Sequence, residues 1–208
     1  DFYRFFPFSR SNHNKLYLIG ARIFEISASV LGLSIGLVLF PFILIGNAIG
    51  NRGKLFYTQE RVGKDGVVFE ILKFRTMVSN AESNGAVFTT TNDSRVTVFG
   101  KFLRKTRIDE FPQFINILKG DMAVIGPRPE RPFFVKEIAE VMPFYETRHI
   151  IKPGLTGWAQ VNYAYGATID DSLIKLQYDL YYIKHRSIFL DLNIAFKTIT
   201  TVLFYRGQ

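Results

Sequence analysis

The residues best equipped for chemistry fall in one stretch, 101–129, KFLRKTRIDEFPQFINILKGDMAVIGPRP. Asp109 and Glu110 are adjacent carboxylates, preceded by Arg104, Lys105 and Arg107 and followed by Arg128 in a Gly-Pro-Arg-Pro turn. Two acids among cations suit a site that holds phosphates and a divalent metal together, the cations on phosphate oxygens and the acids on the metal. The competing reading of the pair is ordinary capping of a helix first turn. Pro112 agrees with a helix that begins near Asp109, because first-turn amides have few intrahelical partners to lose. Such a helix would set the pair at the positive end of its dipole. Each residue before a proline is pushed out of the helical region, so Pro127 and Pro129 would hold Arg128 in one pose; a structural turn with an exposed arginine is the plainer alternative.

Several elements must position these groups. Two apolar runs, 55–57 and 67–74, flank a Gly63-Lys64-Asp65-Gly66 turn and predict a β-hairpin. Alternation puts Lys73 and Arg75 on one face and Phe74 on the other, and the cationic face becomes a phosphate contact where it meets the acidic pair. Residues 79–94 read as a long polar loop, either mobile or substrate-covering. Phe111, Phe114, Ile115 and Leu118 keep helical spacing up to Lys119-Gly120, and 122–125 reads as a short strand. Residues 133–150 predict one amphipathic helix, 152–158 a loop carrying Trp158, 170–183 a helix, and 188–205 an interfacial or packing helix.

The N-terminal third is of another kind. Residues 26–51 carry no charge, and at about 1.5 Å per residue that run exceeds a bilayer core of about 30 Å. Pro41 lies inside it and should kink or break a helix. Lys15 and Arg22 precede the run while Arg52 and Lys54 follow it, and a single span cannot keep both cationic flanks in the cytoplasm. A re-entrant hairpin, broken at Pro41 and returning to the same face, satisfies both; a straight span and a buried helix are the competitors. The run is too long for a cleaved signal peptide, whose apolar region is about 7 to 15 residues. The chain thus divides into an irregular arm, 1–14, a re-entrant membrane helix, 15–52, and a membrane-associated catalytic domain, 53–208. Its fold class is α+β: mostly helical, with a small hairpin or sheet and interfacial amphipathic helices.

Composition narrows the partners. A net charge of +8 calls for a polyanion: nucleic acid, an anionic bilayer or phosphorylated substrates. The 21 phenylalanines and 10 tyrosines fit a large core and also a membrane interface. With no cysteine there is no disulfide framework, and His13, His149 and His185 lack ligand spacing. A basic nucleic-acid-binding module would account for the charge, but no helix-turn-helix, zinc-finger or RNA-binding aromatic signature accompanies it, and the uncharged run is left over. A membrane-anchored interaction module without catalysis, its acidic pair a cap, is the other alternative.

Six motifs in order, QERVG (59–63), KFRTM (73–77), DEFPQ (109–113), LKGDM (118–122), GPRP (126–129) and KPGLTGWAQVN (152–162), resemble the catalytic domain of the bacterial monotopic phosphoglycosyl transferases. The resemblance runs from about residue 22 to 204. It implies an enzyme that moves a sugar 1-phosphate from a UDP-sugar to polyprenyl (undecaprenyl) phosphate with release of UMP. It further implies a phosphosugar aspartyl intermediate, ping-pong kinetics and Mg2+, as the first membrane step of polysaccharide or glycoconjugate synthesis. By motif the nucleophile is Asp109 with Glu110 as partner, both near the metal. Lys73, Arg104 and Arg128 are the phosphate-contacting cations, with Arg75, Pro127 and Pro129 alongside. Arg22 and Pro41 belong to the membrane hairpin. The implied place is the cytoplasmic face of the bacterial inner membrane, with the lipid bilayer as partner, no nucleic acid, and a homo-oligomer left open. Departures are Phe40 where some members have serine before the proline, Ala21-Arg22 and Phe24-Glu25 at the helix entry, and Arg107 where serine or threonine is common. The segment after WAQVN resembles the branch that carries extra N-terminal membrane helices and a further domain. Clustered cations and a helix dipole are expected to keep Asp109 ionised for attack.

Overall fold

A computed structural model describes residues 15–82, 85, 93–163 and 168–203. The arm 1–14 and most of the polar loop expected at 79–94 lie outside the described residues. The described elements open with α1 (Lys15–Gly50), followed by the antiparallel pair β1 (Phe56–Val62) and β2 (Val68–Phe74). Next come α2 (Val98–Lys105), α3 (Gln113–Lys119), β3 (Ala123–Ile125) and α4 (Pro132–Val141). The order closes with β4 (Gly154–Thr156), α5 (Trp158–Asn162), α6 (Ile169–His185) and α7 (Ile188–Leu203). Short elements joined by buried loops leave an α+β body, mostly helical, as its pattern predicts.

The expected break at Pro41 is absent: α1 is helical across it. Proline deletes one amide donor and bends a helix, but packing on both sides carries this one through. Leu39, Phe40 and Ile43 sit against Phe74, Leu103, Phe99 and Phe111. Glu25, Ser29, Gly32, Ile43 and Asn47 form the buried stripe, at helical spacing. Its inner side is held at both ends. Near the start, Tyr17 donates from its hydroxyl to Asp191 of α7, and Arg22 donates to the Ile117 and Leu118 carbonyls, each at 2.8 Å. Those carbonyls belong to the last turn of α3, where i+4 amide partners run out; the Ile117 oxygen also accepts from the Gly120 amide at 3.1 Å. At the other end Asn47 donates to the Gly53 carbonyl at 3.2 Å and Asn51 to the Arg75 carbonyl.

The hairpin pairs Phe56 with Phe74 through Val62 with Val68, and its turn needs left-handed backbone at Asp65 and Gly66, with φ 56° and 79°. Asn116 of α3 completes the free edge of β2. Its Oδ1 accepts from the Leu72 amide at 3.0 Å and its Nδ2 donates to the Glu70 carbonyl at 2.8 Å, as a neighbouring strand would.

Two expectations change here. Residues 133–150 are not one helix: α4 ends before Met142, because Pro143 excludes the residue ahead of it from helical backbone. Phe144 then turns left-handed, φ 68°, into a 3-10 segment, Tyr145–Ile150. Within the expected loop at 152–158, residues 154–156 form β4, parallel to β3 with Ala123 opposite Gly154 and Ile125 opposite Thr156. The two glycines there are required by space: a Cβ on Gly154 would lie 2.1 Å from the Gly126 nitrogen. Helix α6 opens with a reciprocal Thr168–Asp171 capping box.

Candidate active site

Asp109 and Glu110 sit in a single 3-10 turn, Ile108–Glu110, entered through Arg107 in left-handed backbone, φ 57°. The helix expected to start at Asp109 starts one turn later, with Pro112 capping α3. The carboxylates are therefore set by side-chain charges rather than by a helix end. Both are buried, 7% and 8% exposed, which makes their partners decisive, since an uncompensated buried charge is costly.

Four elements converge on them. Lys73, from the end of β2, donates to Glu110 Oε1 at 3.1 Å. Arg128, from the Gly-Pro-Arg-Pro turn after β3, donates to the same oxygen at 3.0 Å. Arg104, at the end of α2, donates from Nε to Thr76 Oγ1 at 2.9 Å, and its charge acts on Asp109. Arg107 acts on both acids from the turn itself. Helix α2 reaches this position because Gly100 rides on the Thr76 carbonyl, where a Cβ would come within 1.9 Å of the oxygen, and because Thr97 caps its start through the Gly100 amide at 2.9 Å.

The cations do not serve the two acids equally. Burial pushes the Glu110 carboxyl up, but Lys73, Arg128 and Arg107 outweigh it and hold it well below the ordinary carboxylate range. Burial first, then the adjacent Glu110 charge, push Asp109 up to about 6, against Lys73, Arg104 and Arg107. Burial lowers Lys73, and Glu110 opposes it; Glu110 raises Arg128 further. The cations oppose the rise at Asp109 without cancelling it, and the hydrogen bonds of Lys73 and Arg128 go to Glu110. Asp109 Oδ1 is buried with no hydrogen-bond partner among the described residues.

Arg75 is not brought to the acids. It is buried at 8% exposure, donating from Nε to the Lys54 carbonyl, from Nη1 to Asn51 Oδ1 at 3.1 Å and the Met77 carbonyl at 2.9 Å, and from Nη2 to the Asn51 carbonyl. The reason is that β2 ends at Phe74, so alternation stops one residue short and Arg75 locks the end of α1 onto the hairpin. Pro127 and Pro129 turn their carbonyls to the scaffold, toward the Gly154 amide at 2.8 Å and Arg61 Nη1 at 3.0 Å. Arg22 and Pro41 stay on α1, away from the pair's own contacts. Thr76, Asn116, Arg61 and the buried Arg148–Asp179 pair were not singled out from the sequence. Thr76, Arg61 and Asn116 lie in KFRTM, QERVG and the central stretch, but the partners that give all of them meaning are distant in the chain.

No group of three or more His, Asp or Glu side chains gathers among the described residues. A magnesium ion does not need one, since it keeps waters and takes one or two carboxylates plus substrate phosphates. The orphaned Asp109 Oδ1 beside Glu110 fits that donor set.

A buried acidic dyad, one member bonded by cations and the other with an oxygen unpartnered among the described residues, is chemically suited to meet phosphate groups. The family model described as bacterial sugar transferase matches residues 16–205. The UDP-N-acetylgalactosamine-undecaprenyl-phosphate N-acetylgalactosaminephosphotransferase of Aeromonas hydrophila is 48% identical over 178 residues, 84% of this chain and 42% of that protein. The UDP-glucose:undecaprenyl-phosphate glucose-1-phosphate transferase of Klebsiella pneumoniae is 38% identical over 200 residues, 93% of this chain and 42% of that one. The uncharacterized sugar transferase EpsL of Bacillus subtilis is 35% identical over 196 residues, 91% of this chain and 90% of its own length. The chain spans about two fifths of the length of the first two. With a match that takes in every element of the site from Lys73 to Trp158, the chain belongs to the bacterial sugar transferase family.

Proposed function

We propose that the chain transfers a sugar 1-phosphate from a UDP-sugar to undecaprenyl phosphate through a covalent intermediate on Asp109. The observation that carries this reading is the division between the two acids. Glu110 bonds Lys73 and Arg128, while Asp109 keeps an oxygen with no hydrogen-bond partner among the described residues. An Asp109 oxygen attacks the β-phosphorus of the donor. The bond from that phosphorus to the oxygen bridging the two phosphates breaks, and UMP leaves with the bonding pair. A phosphate oxygen of the lipid then attacks the same phosphorus, breaks its bond to Asp109 and regenerates the carboxylate. A carboxylate is a weak nucleophile, so the phosphorus must be held in line and its charge neutralised. Lys73, Arg104, Arg107 and Arg128 bring positive charge to the acidic pair. Mg2+, held by Asp109 and Glu110, would add charge neutralisation at the phosphates.

The lipid acceptor requires a membrane, and α1 supports one. Its polarity is the reverse of a soluble helix: Ser29, fully buried at 0%, faces the body, whereas Leu37, Val38 and Phe42 are 74%, 72% and 71% exposed. A helix that turns apolar side chains outward and small or polar ones inward is solvated by lipid. Because the same body grips Tyr17 and Asn51, both ends lie on one side, which we assign to the cytoplasmic face of the inner membrane. The experiment is UMP release from purified, detergent-solubilised chain with undecaprenyl phosphate and Mg2+, offered UDP-N-acetylgalactosamine and UDP-glucose. Retention of radiolabelled sugar phosphate on the protein in the absence of lipid is expected. Transfer that proceeds at full rate in Asp109→Asn sinks the covalent reading.

A further inference from the structure

The turn that carries Arg128 is fastened at each carbonyl from 127 to 130. Pro127 accepts from the Gly154 amide at 2.8 Å and Glu130 from the Val62 amide at 2.9 Å. Pro129 accepts from Arg61 Nη1 at 3.0 Å, and Arg128 itself from Arg148 Nη2 at 2.9 Å. Arg148 differs from the rest in how it is built. It is 5% exposed, and Asp179 of α6 is 1% exposed. Arg148 Nη2 lies 2.7 Å from Asp179 Oδ2, and Nη1 donates to the Tyr145 hydroxyl at 2.7 Å.

A buried ion pair is a weak source of stability, because desolvation offsets the attraction, and an apolar pair of the same volume often does as well. What an apolar pair cannot do is donate to a carbonyl in a fixed direction, which the guanidinium fork does. The carbonyl that receives it belongs to the residue whose side chain reaches Glu110.

We propose that Arg148, braced by Asp179 and Tyr145, is a positioning residue for Arg128: it sets the Gly-Pro-Arg-Pro turn so that the Arg128 guanidinium meets Glu110 and, on the reading of the site given above, the donor phosphates. Arg148 touches no reacting atom. Its effect passes through the Arg128 backbone, which makes the two residues one functional unit.

The test is a double-mutant cycle in the full chain. Arg148→Lys keeps the charge beside Asp179, but one ammonium cannot serve Asp179, Tyr145 and the carbonyl together. It should lower kcat by about 10- to 100-fold with a smaller change in donor KM, as for a displaced catalytic group. In an Arg128→Ala background the same substitution should cost less than about twofold, because residues that act as a unit are not additive. If the two losses multiply, Arg148 does not act through Arg128. Tyr145→Phe gives the same cycle in milder form should Arg148→Lys not fold.

A second readout does not depend on the reaction. Amide hydrogen exchange at Gly126 and Gly154 should speed up in Arg148→Lys while the Leu72 amide, held by Asn116, keeps its rate; equal acceleration at all three means general loosening and overturns the proposal. If Arg128→Ala alone leaves transfer unchanged, the assigned chemistry of the site fails, and the exchange comparison still decides the clamp.

Discussion

At the residue scale, the two adjacent acids differ because Lys73 and Arg128 share one Glu110 oxygen and neither bonds Asp109. Replacing Asp109 with asparagine should lower UMP release by about ten-thousand-fold, the scale of losing a nucleophile. The same change removes a buried charge, so at pH 8 the variant should melt no lower than the parent, and a gain of about 2–4 °C would correspond to roughly 1 kcal/mol. A large drop in melting temperature with loss of activity would instead make Asp109 a structural acid. The pH response follows from the same asymmetry. A carboxyl raised to about 6 in the free protein attacks only when ionised. Donor kcat/KM should therefore fall about tenfold per pH unit below that value and level off above it. For stability the signs oppose: Asp109 favours the folded state at low pH and loses that as pH rises through about 6. Glu110, held low by its cations, contributes above its ordinary range and loses that on acidification. A kcat/KM profile flat down to pH 4.5 would assign the nucleophile elsewhere.

At the element scale, the site depends on how closely α2 lies on the strand end. Gly100 allows the approach, and a methyl there would meet a backbone carbonyl that cannot swing aside. Gly100→Ala should cost about 1–3 kcal/mol and displace Arg104, seen as a lower melting temperature together with slower formation of the covalent intermediate. Gly20, in α1 with open space around its Cβ position, is the control: alanine there should stabilise by up to about 1 kcal/mol through helix propensity alone. Equal effects at the two glycines would mean the close approach of α2 has no consequence. The elements legible in the sequence were those with local signals. The hairpin declared itself by its Gly-Lys-Asp-Gly turn, α3 by Phe111, Phe114 and Leu118 up to Gly120, and the acidic pair by the cations in its own segment. Residues whose meaning lies in a distant partner were not legible. Arg75 looked like a phosphate contact because Asn51, which claims it, is 24 residues away. The two-residue parallel bridge of β3 with β4 has no periodicity to read, and the Arg148–Asp179 pair joins positions that only α6 brings together.

At the scale of the whole molecule, α1 is the element whose environment must be decided, since its exposed apolar face has no covering among the described residues. A sequence reading through Pro41 expects entry, break and return. The helix is instead continuous across Pro41, and we propose that its two ends share one face for a different reason. A continuous helix of 36 residues is about 54 Å long along its axis, against an apolar core of about 30 Å. Were it to stand across the bilayer, the contacts of Arg22 with α3 and of Asn51 with the hairpin would have to sit on opposite faces of the membrane. Both belong to one packed body, and that body carries buried ionised groups and polar loops that the hydrocarbon core would not solvate. The chain has no cysteine, so single cysteines at Lys15 and Lys54 can be read without background. In inverted and right-side-out vesicles, an impermeant maleimide should label both positions from the cytoplasmic side and neither from the other, whereas a cysteine at Val38 should stay unlabelled until detergent is added. Labelling of Lys15 and Lys54 from opposite sides would require the body to come apart from α1 in the membrane, and the contacts from Tyr17 to Asn51 would then not exist in the native protein.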